Sequence, residues 1–345
     1  MNSKKTEQVV NEWKFYFLDR GISDHLIPQY LSYVEKLTNQ QLPIIFEVEH
    51  LSVLIGIEYG ELNKMVHDSS KFYREFEIPK RSGGKRCISA PYPSLLMCQD
   101  WIYNNILKSR NLHFCAHAYR TKKSIVTNAK KHLGKNALLK MDMQDFFPSI
   151  PINWIVNFFS GLGYSDNVAY SLASLCCLND GLPQGASTSP ALSNILLVSL
   201  DSRLYKLSKS YNISYTRYAD DMAFSGDYVP HKIIEVITDI IYDFGFKVNE
   251  KKTKLIIGDK QKIVTGISVQ GEFLTLPRKT RRLIKQEIHY INTFGLVSHI
   301  GKMKIRKPNY LLSLEGKLLF WRQIEPNNEY VLNNLEKISS IKWGL

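Results

Sequence analysis

Two apolar stretches of this chain end in carboxylates, and that restricts its fold more than any other feature. Leu138-Leu139-Lys140-Met141 runs into Asp142, and Asp220-Asp221 lies between the strand-like segments 214–218 and 222–225. An ionised carboxylate beside a core is costly unless it is paired, and adjacent carboxylates raise each other's pKa. Aspartate is common in solvated turns, so the pair alone reads as an ordinary hairpin turn. With Asp142 added, a divalent cation resolves both costs. Mg²⁺ takes hard oxygen ligands, typically one or two carboxylates together with substrate phosphates and water. Two such ions about 4 Å apart stabilise the attacking and leaving oxygens of a phosphoryl transfer. The condition is that the strand ending at Asp142 and the Asp220-Asp221 hairpin are neighbours in one sheet.

Periodicity supplies the surroundings. Apolar residues at three- and four-residue spacing predict helices over 9–18, 26–37, 48–57, 95–107, 152–161, 166–177, 190–208 and 231–244. Ser124 is placed to cap a helix over 124–132. Segments 72–78 and 86–89 alternate like strands around the turn Ser82-Gly83-Gly84, with Lys80, Arg81, Lys85 and Arg86 at or near its tip. Further strands are expected at 137–141, 253–257, 262–265 and 267–275, and helices at 279–293, 309–320 and 328–339. The middle therefore reads as α+β, with helices packed on one sheet and helical segments at either end.

Charge adds a partner class. The net charge of +13 is unevenly placed: residues 1–70 carry −4, residues 111–141 carry +7 without one acidic side chain, and residues 276–345 carry +8. Two basic zones flanking the aspartates suit a polyanion lying across a catalytic centre. No signal-peptide-like or membrane-spanning apolar run is present, so a cytoplasmic location without a membrane partner is expected. The five cysteines show no CxxC spacing, which points to reduced, buried thiols rather than a disulfide framework or zinc site.

The order Asp142, then Leu182-Pro183-Gln184-Gly185-Ala186-Ser187-Thr188-Ser189-Pro190, then Tyr218-Ala219-Asp220-Asp221 resembles the palm of a reverse transcriptase. Within that family the chain is most similar to bacterial retron reverse transcriptases. Asn128-Ala129-Lys130-Lys131-His132 matches their NAxxH element, and Val264-Thr265-Gly266 their VTG element. The resemblance implies a right-hand polymerase. Residues 1–70 would be a helical N-terminal extension, 71–135 the fingers with part of 150–180, 136–275 a palm with an antiparallel sheet, and 276–345 a helical thumb.

By the same resemblance, Asp142, Asp220 and Asp221 are the catalytic ligands of two Mg²⁺ ions, with Mn²⁺ as a substitute. Arg86, Phe147, Gln184 and Lys252 would bind the incoming dNTP, with Phe147 as the steric gate against a 2′-hydroxyl; Lys251 competes with Lys252. Core packing beside Phe146 is the plainer reading of Phe147. Asn128 and His132 are placed on RNA, or else in a structural role, and Arg278, Arg281, Arg282 and Lys285 on RNA from the thumb. The implied reaction copies a cognate structured noncoding RNA into branched, 2′-hydroxyl-primed multicopy single-stranded DNA. The implied role is antiphage defence with a separate effector protein. The alternatives are a general-template or group II intron-like reverse transcriptase, and an inactive palm serving as an RNA-binding scaffold.

Overall fold

The structure, a computed structural model, describes residues 3–80 and 83–343. The chain separates into two compact units. The first comprises the chain up to His113, Gln144–Leu200 and Phe244–Phe246; the second comprises Phe114–Met143, Asp201–Asp243 and the chain from Lys247 onward.

The first unit is mainly helical. Helices Ser3–Asp19 and Ile27–Asn39 pack together, with Trp13, Phe17, Tyr30 and Phe46 forming edge-on and tilted ring contacts. Strands β1 (Tyr73–Pro79) and β2 (Lys85–Pro91) form the expected antiparallel hairpin. Arg81 and Ser82, placed at its tip by the sequence, lie outside the described residues. Pro93 opens the helix Pro93–Ile102, where its missing N–H costs nothing. From that helix the buried Gln99 donates Nε2 to Tyr73 Oη (2.7 Å) and to the Leu175 carbonyl (3.0 Å), and its Oε1 accepts from Ser187 N (3.3 Å). One amide therefore joins the hairpin, the helix Asp166–Cys176 and the loop after Gln184-Gly185.

The second unit holds a four-stranded antiparallel sheet in the order β4 (Ser214–Tyr218), β5 (Asp221–Gly226), β3 (Ala137–Asp142), β6 (Lys254–Ile257). Its interior strands are largely buried, which accounts for their mainly apolar residues, with Lys140 half-buried in β3 and Asp221 exposed at the start of β5. The Ile125–Lys130 helix begins in a capping box between Ser124 and Thr127. Strands β7 (Ile263–Val264) and β8 (Ile267–Ser268) meet through Thr265 and Gly266, both at positive φ (46° and 81°), as a tight two-residue hairpin requires. Helix Arg278–Phe294 buries Ile284, Ile288 and Ile291 against Leu314, Leu318, Trp321, Val331 and Ile338 of the last two helices.

The α+β class expected from the sequence is observed, with local differences. The single helix expected over 190–208 is two, Ser189–Leu196 and Val198–Ser210. Ser193 donates its hydroxyl to the Pro190 carbonyl, local bonding of the kind that bends helices. Helices Tyr59–His67 and Leu296–Lys302 are additional. The expected 267–275 strand reduces to β8 and one bridge, Ser268 to Thr275. The cysteines are free thiols, but Cys87 is exposed rather than buried.

Candidate active site

The register of the sheet meets the condition set by the sequence. β3 and β5 pair antiparallel with Asp142 directly opposite Asp221. β4 and β5 are joined by Ala219 and Asp220, with Tyr218 paired to Asp221. The three carboxylates therefore share one end of two neighbouring strands. The turn is strained: Ala219 has φ +58°, a value unusual for a residue with a Cβ. Hydrogen bonds from Met143 N to the Asp220 carbonyl (3.1 Å) and from Asn249 N to the Asp142 carbonyl (2.7 Å) fix the backbone on either side.

The electrostatics are those of an under-neutralised cluster. Asp142 is buried at 3% exposure. Burial first, then the charges of Asp221 and Asp142, push the Asp220 carboxyl up to about 6. Asp221 rises as well, first through loss of surrounding solvent; Lys140 opposes the rise and Asp142 adds to it. The compensating cation is Lys252, whose Nζ lies 2.9 and 2.8 Å from the two Asp142 oxygens. Desolvation works against the Lys252 charge, yet Asp142 and then the other two aspartates raise its pKa. Of the two lysines left open by the sequence, Lys252 is the one that reaches the cluster.

One ammonium against three carboxylates leaves net negative charge at a site where Asp142 is buried, Asp220 half-buried and Asp221 exposed, and the donors are hard oxygens. That set suits a divalent cation of the Mg²⁺ type. Among the described residues no three His, Cys, Asp or Glu side chains are already gathered at metal-holding spacing; Asp142 is held by Lys252 instead.

What lies beneath the turn leaves little trace in the sequence. Arg217, fully buried, makes a two-pronged ion pair with buried Asp201: Nε to Oδ1 at 2.8 Å and Nη2 to Oδ2 at 2.7 Å. Tyr215 donates its hydroxyl to the same Oδ1 (2.8 Å). Arg217 Nη1 donates to the Ala219 carbonyl at 3.2 Å. The available signal was an arginine inside an apolar strand, which requires a buried acidic partner.

Asn128 and His132 are buried at 2% and 0% exposure. His132 Nδ1 lies 2.7 Å from Ser225 Oγ and Nε2 2.7 Å from Thr216 Oγ1, so both ring nitrogens are engaged by β4 and β5. Asn128 Nδ2 reaches Thr265 Oγ1 (3.5 Å), which itself donates to the Ile125 carbonyl (3.1 Å). NAxxH and VTG thus pack on each other and on the sheet. This placement corrects the expectation of direct RNA contact: neither side chain offers a polar atom to the surface, and both tie helix to sheet.

Burial, and then His117, hold His132 down to about 3; burial and the nearby Lys123, Lys131 and Arg120 hold His117 down to about 4. The unfolded chain takes up a proton on each below about 6.5, while the folded chain does not. Their contribution to stability is complete above about 6.5 and falls with pH toward about 4 and then 3, by about 1.4 kcal/mol per pH unit per histidine. Melting temperature should drop between pH 7 and pH 5, and His132→Asn should flatten that dependence by about one proton.

Arg86, Phe147 and Gln184 belong to the first unit. Arg86 is exposed on β2, opposite Ile78. Phe147 is buried at 9% exposure, its ring 5.3 Å from that of Phe146. The Gln184 carbonyl accepts from Ser89 N (2.9 Å), docking the loop on β2 three residues beyond Arg86. Gly185 has φ +138°, and a Cβ there would lie 2.6 Å from the Ser89 carbonyl oxygen. Gly185→Ala should therefore cost about 1–3 kcal/mol, measured by denaturant unfolding. In the second unit, Arg278, Arg282 and Lys285 are exposed and Arg281 half-buried on their helix, with Lys285 Nζ 4.7 Å over the Tyr330 ring.

Residues 78–291 match the family model described as reverse transcriptase (RNA-dependent DNA polymerase). The chain is 31% identical over 260 residues to the Retron Ec86 reverse transcriptase of Escherichia coli, covering 74% of this chain and 81% of that protein. The chain belongs to the retron reverse transcriptases. It is also 32% identical over 278 residues to the Retron Mx65 reverse transcriptase of Myxococcus xanthus, covering 74% of this chain and 65% of that one. With the Retron Ec73 reverse transcriptase of Escherichia coli it shares 29% over 292 residues, 78% and 88% of the two chains. As a reverse transcriptase it is an RNA-directed DNA polymerase, acting on an RNA template and dNTPs with divalent metal ions. No helix among the described residues is long and apolar enough to cross a membrane.

Proposed function

We propose that this reverse transcriptase copies a cognate structured noncoding RNA into branched, multicopy single-stranded DNA, priming from a 2′-hydroxyl of that RNA. The observation that carries the catalytic half of this reading is the register that sets Asp142 opposite Asp221, beside Asp220. These three carboxylates would hold two Mg²⁺ ions, for which Mn²⁺ substitutes. Bound there, such ions would supply stabilisation of the charge on the attacking and leaving oxygens. The primer hydroxyl attacks the α-phosphate of a dNTP and pyrophosphate leaves.

Lys252 neutralises Asp142 and is well placed to move to a triphosphate when cations occupy the carboxylates. Arg86 offers a planar guanidinium to phosphate, Gln184 contacts the incoming nucleotide, and Phe147 excludes the 2′-hydroxyl. Residues 1–70 form an N-terminal extension; 71–135, with part of 150–180, form the fingers; 136–275 form the palm; and 276–345 form the thumb. The exposed Arg278, Arg282 and Lys285, together with Arg281, hold RNA backbone from the thumb. The DNA product, with a separate effector protein, serves antiphage defence in the cytoplasm.

The test uses purified protein, labelled dNTPs, and either RNA transcribed from the protein's own locus or unrelated RNA with an annealed 3′-primer. Synthesis confined to the cognate RNA, with product attached through a 2′,5′-linkage, is expected. Equal use of both templates would instead establish a general-template enzyme.

A further inference from the structure

A second cationic feature lies in the unit that carries the aspartates, at the far end of its sheet. A cavity of about 340 Å³ opens beside β4, lined by Phe114, His117, Lys131, Lys135, Tyr205 and Lys209 among others. The segment before the NAxxH helix builds one wall by pairing with the outer edge of β4. Arg217 N donates to the Cys115 carbonyl (2.9 Å), and His117 N donates to the Arg217 carbonyl (2.8 Å). Ser214 lines the cavity, whereas Tyr218, four residues along β4, pairs with Asp221. The lining continues along β4 to Thr216, two residues short of Tyr218, so at about 3.3 Å per residue the cavity ends about 7 Å along the strand from the carboxylate end, and none of the three aspartates lines it.

Its chemistry combines two elements. Three lysines face one carboxylate, Asp227, which lies 3.7 Å from Lys135. Beside them the Phe114 ring, 54% exposed, meets Tyr205 edge-on at 4.7 Å, and Lys209 Nζ lies 6.0 Å over the Tyr205 ring. The depressed pKa of Lys123, caused by partial burial and then by Arg120 and Lys131, reports the same excess of positive charge around this wall. Lysines suit phosphate as point charges, and an exposed aromatic face suits a base of any identity. The volume falls at the low end for ligand pockets, which fits one nucleotide and excludes a duplex.

We infer that this cavity anchors one nucleotide of a single-stranded nucleic acid, its base against Phe114 and its phosphate among Lys131, Lys135 and Lys209, at a distance from the site of synthesis. The inference deepens the reading of the protein as an RNA-copying enzyme and rests on it for the identity of the strand.

The test measures binding of fluorescent single-stranded 12-mers, one RNA and one DNA of the same sequence, to the full chain across a salt series. Phe114→Ala should weaken binding by about 5- to 150-fold, the range for losing one base stack. Lys131→Gln with Lys209→Gln should weaken it and reduce the log–log salt slope by about 1.4, the value for two lost contacts on a single strand. Lys131→Arg with Lys209→Arg should restore both. Lys206→Gln with Lys232→Gln removes the same charge outside the cavity and should leave most binding intact. Equal loss in that control, or unchanged binding in the cavity variants at unchanged melting temperature, overturns the inference. Whichever strand shows the pattern of losses is the one held. Incorporation of dNTPs on the cognate RNA is read separately, so loss of polymerisation with the binding pattern intact would refute the functional proposal and leave the cavity assignment standing.

Discussion

Asp142→Asn or Asp220→Asn is expected to lower dNTP incorporation by about 10³-fold, the upper range for removing one electrostatic stabiliser, and Asp220→Asn should also raise the melting temperature of the metal-free protein. The two effects share a cause. Burial, Asp221 and Asp142 raise Asp220 to about 6, above its value in the unfolded chain. Ionising it in the folded state is therefore unfavourable: this cost is absent below about 4, grows as pH rises, and is complete above about 6. An amide at position 220 removes it, with a gain of about 2–4 °C per kcal/mol recovered. A divalent cation should stabilise the unmodified protein more at pH 8 than at pH 5, and the Asp220→Asn protein less at both. Calorimetry with and without Mg²⁺, beside a primer-extension assay, checks both halves. A variant that keeps incorporating dNTPs would remove Asp220 from the site.

The contrast between what the sequence revealed and what it concealed follows from the range of the interactions. Alternation and capping are local, so β3, β4, β5 and the Ser124 cap could be read directly. The Asp220-Asp221 turn was legible because two adjacent carboxylates between apolar strands have few reasons to be there. The short helix Tyr59–His67 was missed because it contains Gly60 and lacks a side-chain cap, so its stability comes from packing Leu62, Met65 and Val66 into the core. Asn128 and His132 were recognised as a motif, but their burial could not be: it depends on Thr216, Ser225 and Thr265, each more than 80 residues away. The Lys252 pairing spans 110 residues and was expected at a triphosphate rather than on Asp142. Motifs named the residues, and the sheet register decided what each of them touches.

Arg217→Met should destabilise the fold by about 3–5 kcal/mol, the cost of leaving a buried carboxylate without its partner. Burial disfavours the charged guanidinium; Asp201 more than reverses this and holds its pKa above the usual value. Both side chains are fully inaccessible to solvent, so water cannot replace the lost contact. Asp201→Asn should cost a similar amount, and the double change Arg217→Met, Asp201→Leu should recover part of the stability, because a matched apolar pair carries no desolvation penalty although the buried Tyr215 hydroxyl loses its acceptor. Polymerisation should not recover with it. Arg217 also donates to the carbonyl of Ala219, the left-handed residue that sets the angle between β4 and β5. Without that donor the turn can relax toward an ordinary φ, releasing strain of about 1–3 kcal/mol and shifting Asp220 relative to Asp142. Urea unfolding of the single and double variants, compared with primer extension over a Mg²⁺ titration, separates the two roles. Partly restored stability with a raised Mg²⁺ requirement is the expected result, whereas full activity in the double variant would show that the ion pair only fills the core.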